Sequence, residues 1–209
     1  MKKIVLITGL LFITACSSTK IVVSWKNQEI TSFEPKNILV VGMTNNLKVR
    51  KIFEEELKKA FLLRNINTVK STTIFDETFT HSEKNEEEIR KMIKKLSSDG
   101  FDTILITSVK GVDEKQNYPI DYYTIDFLIK RFGNYYYKFQ EIYYTPLYYE
   151  VYRIYHVEAS IYKINEKENK SLIWVGAIDV KPKTVESTVK EYVASIIKQL
   201  EREKLINKL

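Results

Sequence analysis

The stretch NILVVGM, Asn37 to Met43, is aliphatic at four consecutive positions and closes on a glycine and a methionine, with no polar residue alternating through it. A strand wetted on one face would alternate, whereas an unbroken apolar run of this length fits a strand covered on both faces, as in a parallel sheet flanked by helices. Working outward, Val49, Ile52, Phe53, Leu57, Ala60 and Phe61 recur at helical spacing. They predict an amphipathic helix, with Glu54–Lys58 and Glu55–Lys59 as i, i+4 pairs on its solvent face.

The β-branched run INTVKSTTIF, Ile66 to Phe75, predicts a second strand. Glu86, Glu87 and Glu88 then open a further helix, where three carboxylates complement the positive end of the helix dipole. Ile89, Met92, Ile93 and Leu96 supply its buried face, and Gly100 ends it. A third aliphatic strand follows in DTILITSVKGV, Asp102 to Val112. The order βαβαβ implies parallel strands joined by right-handed crossovers.

From residue 116 to 149 the pattern changes, with two proline-containing turns and a crowd of aromatics. Twelve of the fourteen tyrosines lie between Tyr118 and Tyr155. Beyond this insertion, VYRIYHVEASIYKI and SLIWVGAIDVK, separated by a polar run, predict a β-hairpin. Leu172, Trp174, Ile178 and Val180 share its inward face at a period of two. A C-terminal helix then buries Val185, Val189, Val193, Ile196, Ile197 and Leu200, with Thr184 as N-cap. The expected architecture is a three-layer α/β domain with a mixed sheet, a terminal antiparallel hairpin and a C-terminal helix, spanning residues 21–209.

The N-terminus poses a different question. Lys2 and Lys3 precede an apolar run, Ile4 to Ile13, interrupted by Thr8 and Gly9 and followed by Thr14, Ala15 and Cys16. About ten apolar residues fall short of the roughly 20 that span a bilayer core. A charged start, a short apolar centre and small residues before a cut make an export signal. Residues 1–15 are expected to be removed, and residues 16–20 to form a lipidated cysteine with a short tether before a strand, IVVSWK. Ile13-Thr14-Ala15-Cys16 resembles the lipobox of bacterial lipoproteins, which implies acylation of Cys16, the only cysteine in the chain. Ser17 stands where such systems place Asp for inner-membrane retention, so the resemblance implies the outer membrane, on either its periplasmic or its surface face.

Loss of Lys2 and Lys3 lowers the formal charge from +6 to +4. So small a surplus among interleaved Glu and Lys is a solvated surface and no nucleic-acid footprint. With Cys16 acylated, no thiol remains for disulfides, thiolate chemistry or zinc. His81 and His156 do not stand in HExxH spacing, and neither begins His-x-Lys-x₄-Asp, the pattern of phospholipase D-type chemistry. Gly42 lies where α/β folds bind phosphate, yet VGMTNN contains neither GxGxxG nor a P-loop lysine. No G-x-S-x-G elbow occurs. Composition and motif therefore assign no catalytic residue, metal or cofactor.

SWKNQE shortly before KNILVVGM, the helix VRKIFEEELKKAF and the late LIWVGA, behind a lipobox, together resemble a group of small bacterial outer-membrane lipoproteins of unassigned function. More distantly they are similar to the α/β domain of the curli secretion channel lipoprotein and of the lipoprotein activators of penicillin-binding proteins. Asn27 stands where the closer group carries Asp. The resemblance implies a non-enzymatic binding, scaffold or assembly accessory of the cell envelope, with an envelope protein or a second copy of the chain as partner. An oligomeric secretion or pore subunit and an envelope hydrolase are the alternatives. The expected contact surface lies in the insertion at 116–149, at Tyr122, Tyr123, Tyr135, Tyr136, Tyr137, Tyr143, Tyr144, Tyr148 and Tyr149. Tyrosine supplies large amphipathic contact area and is enriched at interfaces and at headgroup level. The rest of the domain is expected to close its core without this insertion.

Overall fold

The computed structural model describes residues 18–75, 82–113, 131–140, 154–164 and 171–209. Among these residues six strands form one mixed sheet: β1 (Thr19–Lys26), β2 (Asn37–Met43), β3 (Asn67–Lys70), β4 (Thr103–Asp113), β5 (Ile154–Lys163) and β6 (Leu172–Val180). Their order across the sheet is β1-β6-β5-β4-β2-β3. β3, β2 and β4 run parallel. β5 and β6 add the antiparallel hairpin, and β1 closes the far edge against β6.

Helices cover both faces. On one side lie α1 (Leu47–Leu62) and, at the C-terminus, α5 (Val185–Arg202). They close over Ile38 and Val40 of β2, Leu105 of β4 and Trp174 of β6. On the other side α3 (Glu86–Ser98) and α4 (Phe132–Phe139) cover Leu39, Val41, Ile104 and Ile106. Residues 38 to 41 are thus apolar throughout because each successive side chain enters a different core. α2 (Ser71–Ile74) is a single turn beside β3.

The helix ends follow their side chains. Asn46 accepts from the Val49 amide at 3.1 Å, and Thr184 accepts from the Ser187 amide at 3.2 Å. Asn85 and Glu88 form a reciprocal capping box at the start of α3, where the three glutamates were expected. Gly100 takes a left-handed φ of 88° just past the end of that helix.

Several expectations are corrected. Ile66 to Phe75 is strand only through Lys70 and then turns into α2. The reason is Glu54: its carboxylate accepts from the Thr72 amide at 2.9 Å and from the Ser71 hydroxyl, which holds the chain in a helical turn. Glu54 itself is fully buried, not solvent-facing with Lys58, and Glu55 instead pairs with Lys70 at 2.8 Å. The first strand starts at Thr19, two residues before the Ile21 expected from IVVSWK. In the hairpin, Trp174, Ile178 and Val180 share one core, but Leu172 enters the other. A shift in the pairing between Ile161 and Tyr162 turns it over. Finally, α4 lies within the insertion and is core, with Phe132, Tyr135 and Tyr136 buried.

Asn27, the departure from the resembling group, has a local explanation. Its amide nitrogen donates to the Leu172 carbonyl at 3.1 Å while its oxygen accepts from the Glu29 amide at 2.9 Å. An aspartate has no N–H for the first of these bonds.

Candidate functional site

The sheet has one end at which several features converge. Pairing across the strands lines up Val112, Tyr155, Val180 and Thr19. β4 leaves this end at Asp113 and β5 re-enters it at Ile154, so the chain between them is rooted here. The first described residue, Ser18, is rooted here too. Its amide donates to the Glu191 carboxylate of α5 at 2.6 Å, and its hydroxyl donates to the same oxygen. Thr19 and Ser195 share a 2.6 Å hydroxyl contact, and the Lys181 amide donates to the Ser18 carbonyl at 2.8 Å. The Ser18 hydroxyl and amide, followed by Lys183, hold the Glu191 carboxyl down at about 2.

Beside this clamp lies a cavity of about 370 Å³. Val109, Val157 and Val180 line it from the sheet, Phe53 from α1, and Val189 and Tyr192 from α5. Its rim is formed by the start of α1 at Asn46 and Val49 and by the turn from Pro182 to Val185. Gly42 admits α1 this close: a Cβ there would stand 3.1 Å from Phe53 Cδ1. The Phe53 and Tyr192 rings meet at 5.7 Å between centroids. The Tyr192 hydroxyl is buried without a partner among the described residues; it faces Thr107 but does not meet it in hydrogen-bond geometry. Burial raises this phenol above its usual range.

Arg50 also borders the cavity, but its guanidinium is engaged. Nε lies 3.2 Å from Glu54, and Nη2 donates to Ser71 at 2.7 Å. Glu54 further accepts from the Gly42 amide at 3.1 Å. The backbone position where an α/β fold would cradle phosphate is therefore taken by a carboxylate, which repels an anion there. What the arrangement offers a ligand is mostly apolar surface, with the unpartnered Tyr192 hydroxyl as its polar exception.

Of the tyrosines expected as a contact surface, Tyr135 and Tyr136 are corrected: they are 1% and 2% exposed. They point into the core because α4 lies flat on α3, where a Cβ on Gly133 would come within 3.2 Å of Ile93. The Tyr135 hydroxyl bonds to Ser108, and burial, then the Glu158 charge, raises its phenol well above the usual range. Lys110 sits 3.6 Å from Glu158 and 3.4 Å from the Phe139 ring centroid, closing this polar patch beneath α4. Tyr137 is 47% exposed. Tyr122, Tyr123, Tyr143, Tyr144, Tyr148, Tyr149 and Cys16 lie outside the described residues, as does His81.

His156 is buried, and its Nδ1 lies 2.7 Å from Asp179 on the adjoining strand. Among the described residues no three His, Cys, Asp or Glu side chains come together to hold a metal. Nor is any described helix long and apolar enough to cross a membrane. The cavity and the buried Glu54 had no sequence signal: valines from two strands, a third strand's end and a helix carry no motif. Glu54 stands in a run of three glutamates that helical pairing alone would put in water.

Fold and site together define a mixed α/β domain with an apolar cavity beside its N-terminal clamp. No protein-family model matches the chain, and no curated protein matches it. Among solved structures it is similar to the PelC dodecamer from Paraburkholderia phytofirmans, at 8% identity over 91% of this chain and 99% of that one, with a TM-score of 0.42. A single-residue variant of that PelC dodecamer aligns at 8% identity over 85% of this chain and 96% of that one, TM-score 0.43. The lipoprotein GNA1162 from Neisseria meningitidis aligns at 11% identity over 80% of this chain and 99% of that one, TM-score 0.39.

Proposed function

We propose that this chain is a lipid-anchored envelope protein, acylated at Cys16, whose domain acts by binding and not by catalysis, as a scaffold or assembly accessory at the outer membrane. The observation that carries this reading is the sequence Ile13-Thr14-Ala15-Cys16 behind a short apolar signal. Support comes from the clamp at Ser18, two residues beyond the cysteine: the chain reaches at most about 7 Å over that interval. The end of the sheet bearing the cavity then faces the bilayer closely. The segment between β4 and β5, whose sequence carries the tyrosines expected as the contact surface, leaves and rejoins the sheet at this same end, at Asp113 and Ile154.

The test is fractionation. Cys16→Ala protein is expected in the soluble envelope fraction, because a domain with a single lipidated attachment loses its hold when that attachment goes. Retention of the variant in membranes after a high-salt wash would refute the anchor. Inhibition of lipoprotein signal cleavage is expected to hold the wild type at its precursor mass.

A further inference from the structure

The cavity beside the clamp is of a size that receives ligands, since small-molecule sites run from about 300 to 1,000 Å³. At about 370 Å³ it suits one slender body. Its walls are Phe53, Val109, Val157, Val180 and Val189, and the guanidinium on its border, that of Arg50, is held by Glu54 and Ser71. Such walls favour hydrocarbon, because a polar group placed against the valines and Phe53 would go unpaired, and the Tyr192 hydroxyl is the one unpartnered buried polar atom that the described lining presents. At the mouth the chemistry reverses. Lys183 is exposed on the turn leaving β6, and its Nζ lies 3.1 Å from Glu191. An exposed, charged mouth on an apolar slot complements an amphiphile, whose head stays among the headgroups while its chain enters.

Position chooses the source. Val180, a cavity wall, is paired with Thr19, and Ser18 is fastened to α5 next to the rim residue Lys183. On the reading that Cys16 is acylated, the mouth lies against the bilayer. An acyl chain can then enter from the hydrocarbon layer without being carried through water. We propose that this cavity is a lipid site that takes one acyl chain of a phospholipid from the bilayer in which the protein is anchored.

The test uses the full-length protein in vesicles of phosphatidylethanolamine and phosphatidylglycerol, the latter carrying a diazirine on one acyl chain. After irradiation, label is expected on peptides covering residues 43–53 and 185–192. Val189→Trp, which fills the cavity, is expected to lose that label. Val185→Glu sets a charge on the half-exposed rim, where folding tolerates it, and is expected to lose the label as well. Label that survives both substitutions would overturn the proposal. So would label on the wild type confined to other peptides.

Two arms separate the other occupants. Cys16→Ala protein offered diazirine-bearing lysophosphatidylglycerol in solution reads the cavity without the anchor. If it labels while the wild type in vesicles does not, the acyl chain on Cys16 fills the cavity and the bilayer lipid is excluded. If the wild type labels only after residues 141–153 are replaced by a Gly/Ser linker, the chain itself fills the cavity, and the bilayer lipid is again excluded. Vesicle flotation of wild type against Cys16→Ala reports the anchor alone. A variant that floats like the wild type yet labels at the cavity would refute the acylation and leave the site.

Discussion

At the scale of single residues, the molecule is governed by a few side chains whose neighbours leave them no freedom. Trp174 is fully buried, and its ring lies across Gly176, two residues on along the same face of β6. A Cβ at position 176 would stand 2.5 Å from Trp174 Cη2, closer than real contacts allow. The ring is enclosed by the α1–α5 core, so it has nowhere to retreat. Gly176→Ala is therefore expected to destabilise by about 1–3 kcal/mol, the range for forcing extra volume into a packed interior. Chemical denaturation checks it; an unchanged midpoint would mean that the ring repacks freely. Nothing in WVGA announces this contact, since it depends on the rotamer of Trp174 and not on spacing. That Trp174 is core was readable from the alternation of the hairpin. That Leu172 is not in the same core depends on a shift in strand pairing, which periodicity assumes away.

At the scale of elements, α4 separates what composition showed from what it hid. A tyrosine-dense insertion between two strands has the composition of a contact surface, and the prevalence of tyrosine at interfaces points the same way. Within FGNYYYKF, however, the helical period decides. Phe132, Tyr135, Tyr136 and Phe139 fall on one side and pack on Tyr162 and α3, leaving Tyr137 outward. Two adjacent tyrosines should consequently behave differently. Tyr136→Ala is expected to lower stability by about 3–5 kcal/mol, as for other buried aromatics. Tyr137→Ala is expected to change it by no more than about 0.5 kcal/mol. Thermal or urea unfolding of the two variants side by side gives the answer, and equal effects would mean that α4 is not seated on α3. The parallel strands were legible because being covered on both faces leaves an unambiguous apolar run. The turn at Ser71–Ile74 was not, because a carboxylate seventeen or more residues earlier imposes it. Local β-branched composition loses to that tertiary bond.

At the scale of the whole molecule, the first described strand and the C-terminal helix are fastened to each other. β1 is an edge strand, and its neighbour in the sheet is β6. Its start is held to α5 by Ser18 and Thr19 across more than 170 residues of sequence. Its far part is held by Gln199, which donates to Ser24 at 2.8 Å, and by Lys26, which donates to the Glu203 carbonyl at 3.2 Å. Ser18, the residue just before β1, is therefore tied both to α5 through Glu191 and to the turn after β6 through the Lys181 amide. The Glu191 carboxylate is the acceptor at that junction, and its folded value of about 2 lies below the ordinary 4.5. A carboxyl depressed by folding contributes stability that is complete above the unfolded value and is lost as pH falls through the folded one. The clamp is thus expected to hold at neutral pH and to weaken between about 4.5 and 2, as protonation removes the acceptor for Ser18 and the charge facing Lys183. Because other carboxylates titrate in the same range, the contribution has to be read as a difference. Hydrogen exchange of the β1 amides in the wild type is expected to quicken through that window, relative to the amides of β2. In Glu191→Gln the β1 amides are expected to exchange faster already at neutral pH and to show a smaller further change on acidification. Protection of β1 that is equal in the two proteins at every pH would place the fastening in the strand pairing with β6 alone and take Glu191 out of it.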